Sequence, residues 1–452
     1  MKVQANGLLP LKRSQDDCNV KGGCSLAGDL RVDENIALHS MHTVWVREHN
    51  RIASELKKIN PGWNNKQLFQ NARKITGAVW QHITYKEYLP LLVTLPRYSG
   101  YNANVDPSIT NVFASAAFRF GHSLVPNKFS QLDNNFNKAN PPIPLQEAFL
   151  NRHIINIRGI EQTVRGLIGN LSNVVDNKFS FGLTRRLFVS VDSEDYLDLT
   201  ALNIQRGRDH GLPGYNEYRR LCGLSVPKTW AQVQRLMVAN VASKFQKVYK
   251  HPDDIDVFAG GISERHIRNS QVGPTFNCIL KRQFQSIRDG DRFYYENPGV
   301  FTVAQLNAIR KVTMASILCN TLKELVSVQP NVFFTPSKQS NTRKVCNSIP
   351  TLDLNPWKGN SVGDEPEEQM EDTANDWKVV DNDAFDETRN VNDVDNFPEI
   401  LRSVLKNEVL NIVEDEMEDE RRESFRKEKD EAFDRENYIF GDEDEDEDEE
   451  RL

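Results

Sequence analysis

The sequence has few cysteines, no long apolar runs and few alternating strand patterns, and each shortage excludes a class of protein. Six cysteines in 452 residues are too few for a small disulfide-built scaffold, and none has the CxxC spacing of a zinc site. No apolar run approaches the roughly 18 residues of a membrane-spanning helix. The opening residues, MKVQANGLLPLKR, lack the apolar core of a signal peptide. Because alternating patterns are scarce, we predict a mainly α-helical fold.

The six cysteines are an even number, which fits an oxidising compartment. Cys18 and Cys24 are close enough in sequence to close a small loop. For the other four we predict the bridges Cys222–Cys278 and Cys319–Cys346, although spacing alone leaves other pairings open. The cysteines therefore favour an extracellular protein, while the start of the chain offers no export signal.

Charge divides the chain into two parts. Residues 361–452 hold 36 acidic and 11 basic side chains, a net charge of −25, which leaves 28 acidic and 45 basic side chains, a net charge of +17, in residues 1–360. We predict a globular domain over 1–360 and an acidic, largely disordered tail over 361–452, with one helix-spaced stretch at 397–426. The scattered basic residues favour a general basic surface over a specific nucleic-acid site. A face for polyanions such as extracellular glycans is the alternative.

Helical patterns are clear in four segments of the domain. Residues 33–58 and 66–87 carry apolar side chains at three- and four-residue steps, and a third helix is expected over 107–120. Thr302 and Gln305 have the spacing of a capping box, which predicts a helix that continues to Leu322.

Three motifs stand in a fixed order along this helical region. AGDLRVDE at 27–34 leads into REHNR at 47–51, FRFGHSL occupies 118–124, and ALNIQRGRDHGLPGY occupies 201–215. Together they resemble the animal haem peroxidases, most closely the peroxidasin branch, and the resemblance extends from about Leu8 to Trp357. It implies the mainly helical fold that encloses a b-type haem.

The resemblance assigns four residues to the proximal face of the haem. His122 matches the axial ligand of the iron, and Asn203 matches the residue that accepts a hydrogen bond from the second ring nitrogen. Arg119 and Arg206 match side chains that bind the haem propionates, for which a guanidinium group is suited.

On the opposite, distal face the resemblance assigns two residues. Arg31 matches the arginine that polarises bound peroxide, and Glu34 matches the carboxylate that forms an ester with a haem methyl group. The next position is Asn35, where the strongest chlorinating relatives have methionine, so a thioether link is excluded. The pattern implies a preference for bromide or iodide.

The match also predicts what this chain lacks. In the family a distal histidine, the aspartate of a second haem ester and a calcium-binding loop precede the distal arginine by a long stretch, whereas no histidine precedes His39 in this sequence. We therefore expect the C-terminal two-thirds of the family domain, incomplete at its N-terminus and without the calcium site. Loss of a positioned general acid–base lowers rates by about 10²–10⁴.

Two functions follow. The first is a haem peroxidase that uses hydrogen peroxide to oxidise halide ions or small phenolic donors. The second is a non-catalytic extracellular matrix or scaffold protein that retains the fold and binds cations through its acidic tail.

Overall fold

A computed structural model describes residues 1–15, 18–188 and 197–359. The chain divides into two units, Met1–Asp381 and Asn382–Leu452, and the second lies wholly outside the described residues. The acidic tail and the helix expected at 397–426 also lie outside them and stay predictions, as does the boundary at 360.

Helices make up most of the regular structure in the described part of the chain. The α-helices are α1 Ile36–Ile59, α2 Asn65–Ile83, α3 Asn111–Ser115, α4 Leu145–Ala148, α5 Arg152–Arg158, α6 Glu161–Gly169, α7 Phe181–Thr184, α8 Leu199–Asp209, α9 Tyr215–Leu221, α10 Trp230–Leu236, α11 Val241–Val248, α12 Val257–Ser263, α13 Pro274–Asp289, α14 Val303–Ile309 and α15 Met314–Thr321. Short 3-10 helices span Leu30–Asp33, Leu89–Leu91, Ala117–Leu124, Pro252–Asp254, Cys346–Ser348 and Asn355–Trp357, and Thr84–Tyr88 forms one π-helical turn.

Strands are short and form two small antiparallel sheets. β1 Lys128–Leu132 pairs with β2 Lys138–Pro144, with Phe129 opposite Ile143 and register shifts further along. β3 Ser327–Val328 pairs with β4 Lys344–Val345. The predicted mainly α-helical class is confirmed.

The first two helices form as their apolar spacing predicts. Asn35 caps α1, because its side-chain oxygen accepts the backbone N–H groups of Ala37 and Leu38, both at 3.0 Å. The buried faces of α1 and α2 then pack against each other, and the Trp45 and Trp80 rings meet with centroids 4.4 Å apart. The helix pair α1 and α2 belongs to a large core to which α5, α6 and α15 also contribute.

Two of the predicted helices differ in extent from the structure. The helix predicted over 66–87 forms as α2 and continues without a break as the π-helical turn Thr84–Tyr88, whereas the segment predicted over 107–120 contains only a short α-helix followed by a 3-10 helix. The helix that begins after Thr302 stops at Ile309. Thr313 then caps a new helix, because its side-chain oxygen accepts the backbone N–H of Ser316. The predicted single helix is therefore two helices, each with its own capping box.

All three predicted disulfides are confirmed. Cys18–Cys24, Cys222–Cys278 and Cys319–Cys346 are bridged, which pairs all six cysteines of the chain. The bridges fit an oxidising compartment. Within the described ranges, no helix is both long enough and apolar enough to cross a bilayer.

Candidate functional site

The predicted ligand and its partner come from elements far apart in sequence. His122 lies in the 3-10 helix Ala117–Leu124, and Asn203 is fully buried in α8. The two atoms His122 Nδ1 and Asn203 Oδ1 are 2.7 Å apart. Since an amide oxygen only accepts hydrogen bonds, Nδ1 carries the hydrogen, and Nε2 is the nitrogen that remains for a metal.

The protonation state of His122 suits a metal ligand. Burial lowers the pKa of His122 to about 4, the hydrogen bond to Asn203 opposes this shift, and the charge of Arg119 adds to it. The ring is therefore neutral near pH 7, and a neutral imidazole is the form that ligates a metal.

Three arginines lie close enough to His122 or to one another to interact electrostatically. Arg206 is buried one helical turn beyond Asn203 on α8, and Arg119 donates a hydrogen bond through Nε to the Ala114 carbonyl at 2.9 Å. Burial lowers the pKa of Arg119 to about 10, and the positive charges of Arg206 and Arg31 contribute to the same shift. A concentration of like charge in a partly buried site is stabilised by an anion, and carboxylates fit guanidinium groups well.

The distal pair predicted by resemblance lies on one tight turn. Asp29 caps the 3-10 helix Leu30–Asp33 and pairs with Arg31 through two contacts of 3.1 Å, while half of the Arg31 side chain remains exposed. Glu34 ends this turn, and α1 starts directly after it. The turn thus holds Arg31 and Glu34 three residues apart at the start of α1.

A buried polar cluster that sequence reasoning missed anchors this turn. The Asp33 carboxylate accepts hydrogen bonds from the Ser25 backbone N–H at 2.6 Å and from the Ser25 hydroxyl at 2.8 Å, and it contacts His39 Nδ1 at 2.8 Å. All three residues are buried. Their spacing matches no familiar pattern, so the sequence alone carries no signal for this cluster.

Other histidines in the motifs have structural surroundings. His210 ends α8, and its Nδ1 lies 2.9 Å from the Asn111 side-chain oxygen. His49 is buried in α1 against the Phe69 ring.

The residues present fit a haem. A neutral imidazole held at one nitrogen suits an axial iron ligand, and the cluster of Arg119, Arg206 and Arg31 suits an anionic prosthetic group. A family model for animal haem peroxidases matches residues 1–333. The chain belongs to the animal haem peroxidase family.

Individual members of this family are also similar to the chain in sequence and in structure. The chain is 42% identical over 347 residues to lactoperoxidase of Mesocricetus auratus, an alignment that covers 74% of this chain and 48% of the relative. It is 39% identical over 373 residues to peroxidasin of Drosophila melanogaster, covering 78% of this chain and 24% of the relative. The structure of peroxidase A from Dictyostelium discoideum matches with a TM-score of 0.64 and 35% identity, covering 72% of this chain and 62% of that one.

This chain matches only part of each relative's length. The chain spans about half the length of the lactoperoxidase and about a quarter of the peroxidasin that it matches. Family membership and fold therefore transfer directly, whereas activity, substrates and partners are matters of proposal.

Proposed function

We propose that this chain is the haem-binding part of a peroxidase that uses hydrogen peroxide to oxidise halide ions or small phenolic donors. The observation that carries the proposal is the 2.7 Å contact between His122 and Asn203, because it leaves one ring nitrogen of a neutral imidazole for iron. A buried histidine with a purely structural role does not require an arginine cluster beside it.

Each predicted site residue has a distinct task in this proposal. His122 ligates the iron, Asn203 orients the imidazole, and Arg119 and Arg206 bind the propionates of a b-type haem. The haem supplies the redox chemistry of peroxide reduction.

On the distal side, Arg31 stabilises negative charge as peroxide is cleaved, and Glu34 is placed to form an ester with a haem methyl group. Arg31 and Glu34 lie on one short turn, and both roles require that this turn covers the distal face of the haem.

Proton transfer sets the expected rate. No histidine precedes His39, so residues 1–38 do not supply the distal base of the family pattern. We propose that turnover by this chain alone is about 10²–10⁴ below that of a site with a positioned general acid–base. Asn35 occupies the position of the methionine that forms a thioether, and on that basis we propose bromide, iodide or phenols as donors in preference to chloride.

The compartment follows from the disulfides. Three bridges are stable where thiols are not kept reduced, and we propose an extracellular location. The net charge of +17 on residues 1–360 makes matrix polyanions reasonable partners.

Haem reconstitution tests the proposal. We expect a Soret band with the unaltered chain, its loss in His122→Ala, and no change in His153→Ala, which replaces an exposed histidine. Peroxide turnover above that of free haem is expected only with His122 present. A specific haem spectrum without turnover would instead support a non-catalytic scaffold, and an unchanged spectrum in His122→Ala would place the ligand elsewhere.

A further inference from the structure

A cavity of about 430 Å³ lies beside the end of α2 and the residues that follow it. Its walls include three tyrosines, Tyr85, Tyr98 and Tyr294, together with four cationic side chains and one carboxylate. The cationic residues are Lys86, Arg97, Arg288 and Arg310, and the carboxylate is Glu296. None of these residues belongs to the predicted haem site.

The charges of the cavity favour an anion. Glu296 contacts both Arg310, at 2.8 Å, and Lys86, at 3.7 Å, so one carboxylate faces two cations. Arg288 pairs with Asp289 behind the wall and lies over the Tyr98 ring, 5.5 Å from its centroid. Arg97 adds an exposed guanidinium. Aromatic walls with a cationic rim suit a planar ring that carries a carboxylate.

A chain of aromatic rings connects this cavity to the segment that holds His122. Phe118 lies on the same 3-10 helix as His122 and contacts Phe284, with ring centroids 5.5 Å apart. Phe284 contacts Tyr85 at 6.3 Å, and Tyr85 contacts Tyr294 at 5.3 Å. At the cavity, Tyr98 contacts Tyr294 at 4.8 Å.

Tyr295, which lies next to Tyr294, has a proton acceptor in His82. The Tyr295 ring lies 4.9 Å from that of Tyr294, and its hydroxyl is 2.9 Å from His82 Nδ1. We assign the ring hydrogen of His82 to Nε2, so that Nδ1 accepts the hydrogen bond from the Tyr295 phenol. Burial and the charge of Lys86 lower the pKa of His82 to about 4, so the ring is a neutral base near pH 7.

We propose that this cavity is a donor site for phenols that carry a carboxylate, and that Tyr294 and Tyr295 relay their electrons to the haem site. The proposal rests on the proposed peroxidase function. It goes beyond that function by naming a donor class and a site away from His122.

The relay balances in two steps. With haem held at His122 to supply the oxidising chemistry, the Tyr295 phenol would lose one electron to that site and its proton to His82 Nδ1, leaving a tyrosyl radical. A phenol in the cavity then gives one electron, through Tyr294, to that radical. Tyr295 takes its proton back from His82, the donor releases its own proton to solvent, and a donor phenoxyl radical leaves.

Binding is tested first and needs no haem. Calorimetric titration with 3-(4-hydroxyphenyl)propanoate and with its uncharged amide should give binding for the acid and markedly weaker binding for the amide. Arg97→Gln should weaken binding of the acid, whereas Arg235→Gln, a control at an exposed arginine on α10, should not. No binding of the acid, or equal binding of acid and amide, overturns the donor site.

Radical detection tests the relay. In haem-loaded protein mixed with peroxide and no donor, electron paramagnetic resonance should show a tyrosyl signal that Tyr295→Phe loses and that the buried control Tyr218→Phe keeps. His82→Gln removes the base and should also lose the signal, which guards against misfolding of a single variant. A normal Soret band with an undiminished radical in Tyr295→Phe overturns the relay. Absence of a Soret band in the unaltered chain counts against the peroxidase function, while the titration still decides the cavity.

Discussion

Replacing Asn203 by alanine isolates the contact that orients His122. Asn203 is fully buried, and its side-chain oxygen is the acceptor for His122 Nδ1 at 2.7 Å. After the substitution the partly buried imidazole N–H loses its acceptor, which should lower the free energy of unfolding by about 1–3 kcal/mol. Removal of a residue that orients a metal-ligating histidine lowers affinity by about 10–100-fold. A 10–100-fold loss of haem affinity corresponds to a loss of about 1.4–2.7 kcal/mol in the free energy of haem binding.

The assay is a haem titration followed by Soret absorbance, combined with urea unfolding of the haem-free chain. Asn203→Ala should bind haem about 10–100-fold more weakly and retain an altered spectrum, because the ligand itself remains. The matched control is Asn71→Ala, which removes a buried amide that donates to the Gln67 carbonyl at 2.9 Å on α2.

Both variants should lower the free energy of unfolding by a similar amount, but only Asn203→Ala should change haem affinity. If the two variants bind haem equally well, the hydrogen bond does not act on the ligand and the reasoning is refuted.

Three further predictions use other parts of the chain. Replacing Cys222 and Cys278 by alanine should lower the free energy of unfolding by about 4 kcal/mol, since the bridge closes a loop of 56 residues; mass mapping of secreted protein that finds three or more free thiols would contradict the pairing. Burial raises the pKa of Glu87 to about 7 despite the hydrogen bond from the Met314 N–H, so the contribution of this residue to stability is lost as pH rises from about 4.5 to above 7; in unfolding experiments across that range Glu87→Gln should gain stability relative to the unaltered chain, and a constant difference between the two would refute the shift. A chain ending at residue 360 should bind heparin more tightly than the full chain at low salt, because the tail charge of −25 competes for the basic domain, and equal affinities would refute this competition.

Local sequence signals predicted the elements that depend on neighbours in the chain. The apolar spacing of α1 and α2 and the capping box at Thr302 depend on residues three or four apart, and they predicted helices at those places. The same local logic failed at Thr313, because a second capping box there competes with continuation of the helix.

Contacts between residues far apart in the sequence cannot be predicted from local patterns. Of the arginines on α1, Arg51 pairs within the helix, with Glu48 three residues earlier at 2.7 Å. The structure instead pairs Arg47 with Glu161 on α6, at 2.8 Å and 114 residues away, and Arg47 also donates to two backbone carbonyls. The contact of His122 with Asn203 spans 81 residues and was expected only through family resemblance, since no periodicity links the two positions.

Asn35, which stands where the strongest chlorinating relatives have methionine, has a local structural role as the cap of α1. Its side-chain oxygen accepts two backbone N–H groups at the start of α1, a cap worth about 1 kcal/mol. Methionine at this position cannot accept those hydrogen bonds with comparable strength, because a thioether sulfur is a weak acceptor. The same residue therefore cannot serve both as a strong cap of α1 and as a sulfur link to haem. Because α1 carries much of the core and follows the turn that holds Arg31 and Glu34, the cap also stabilises that turn.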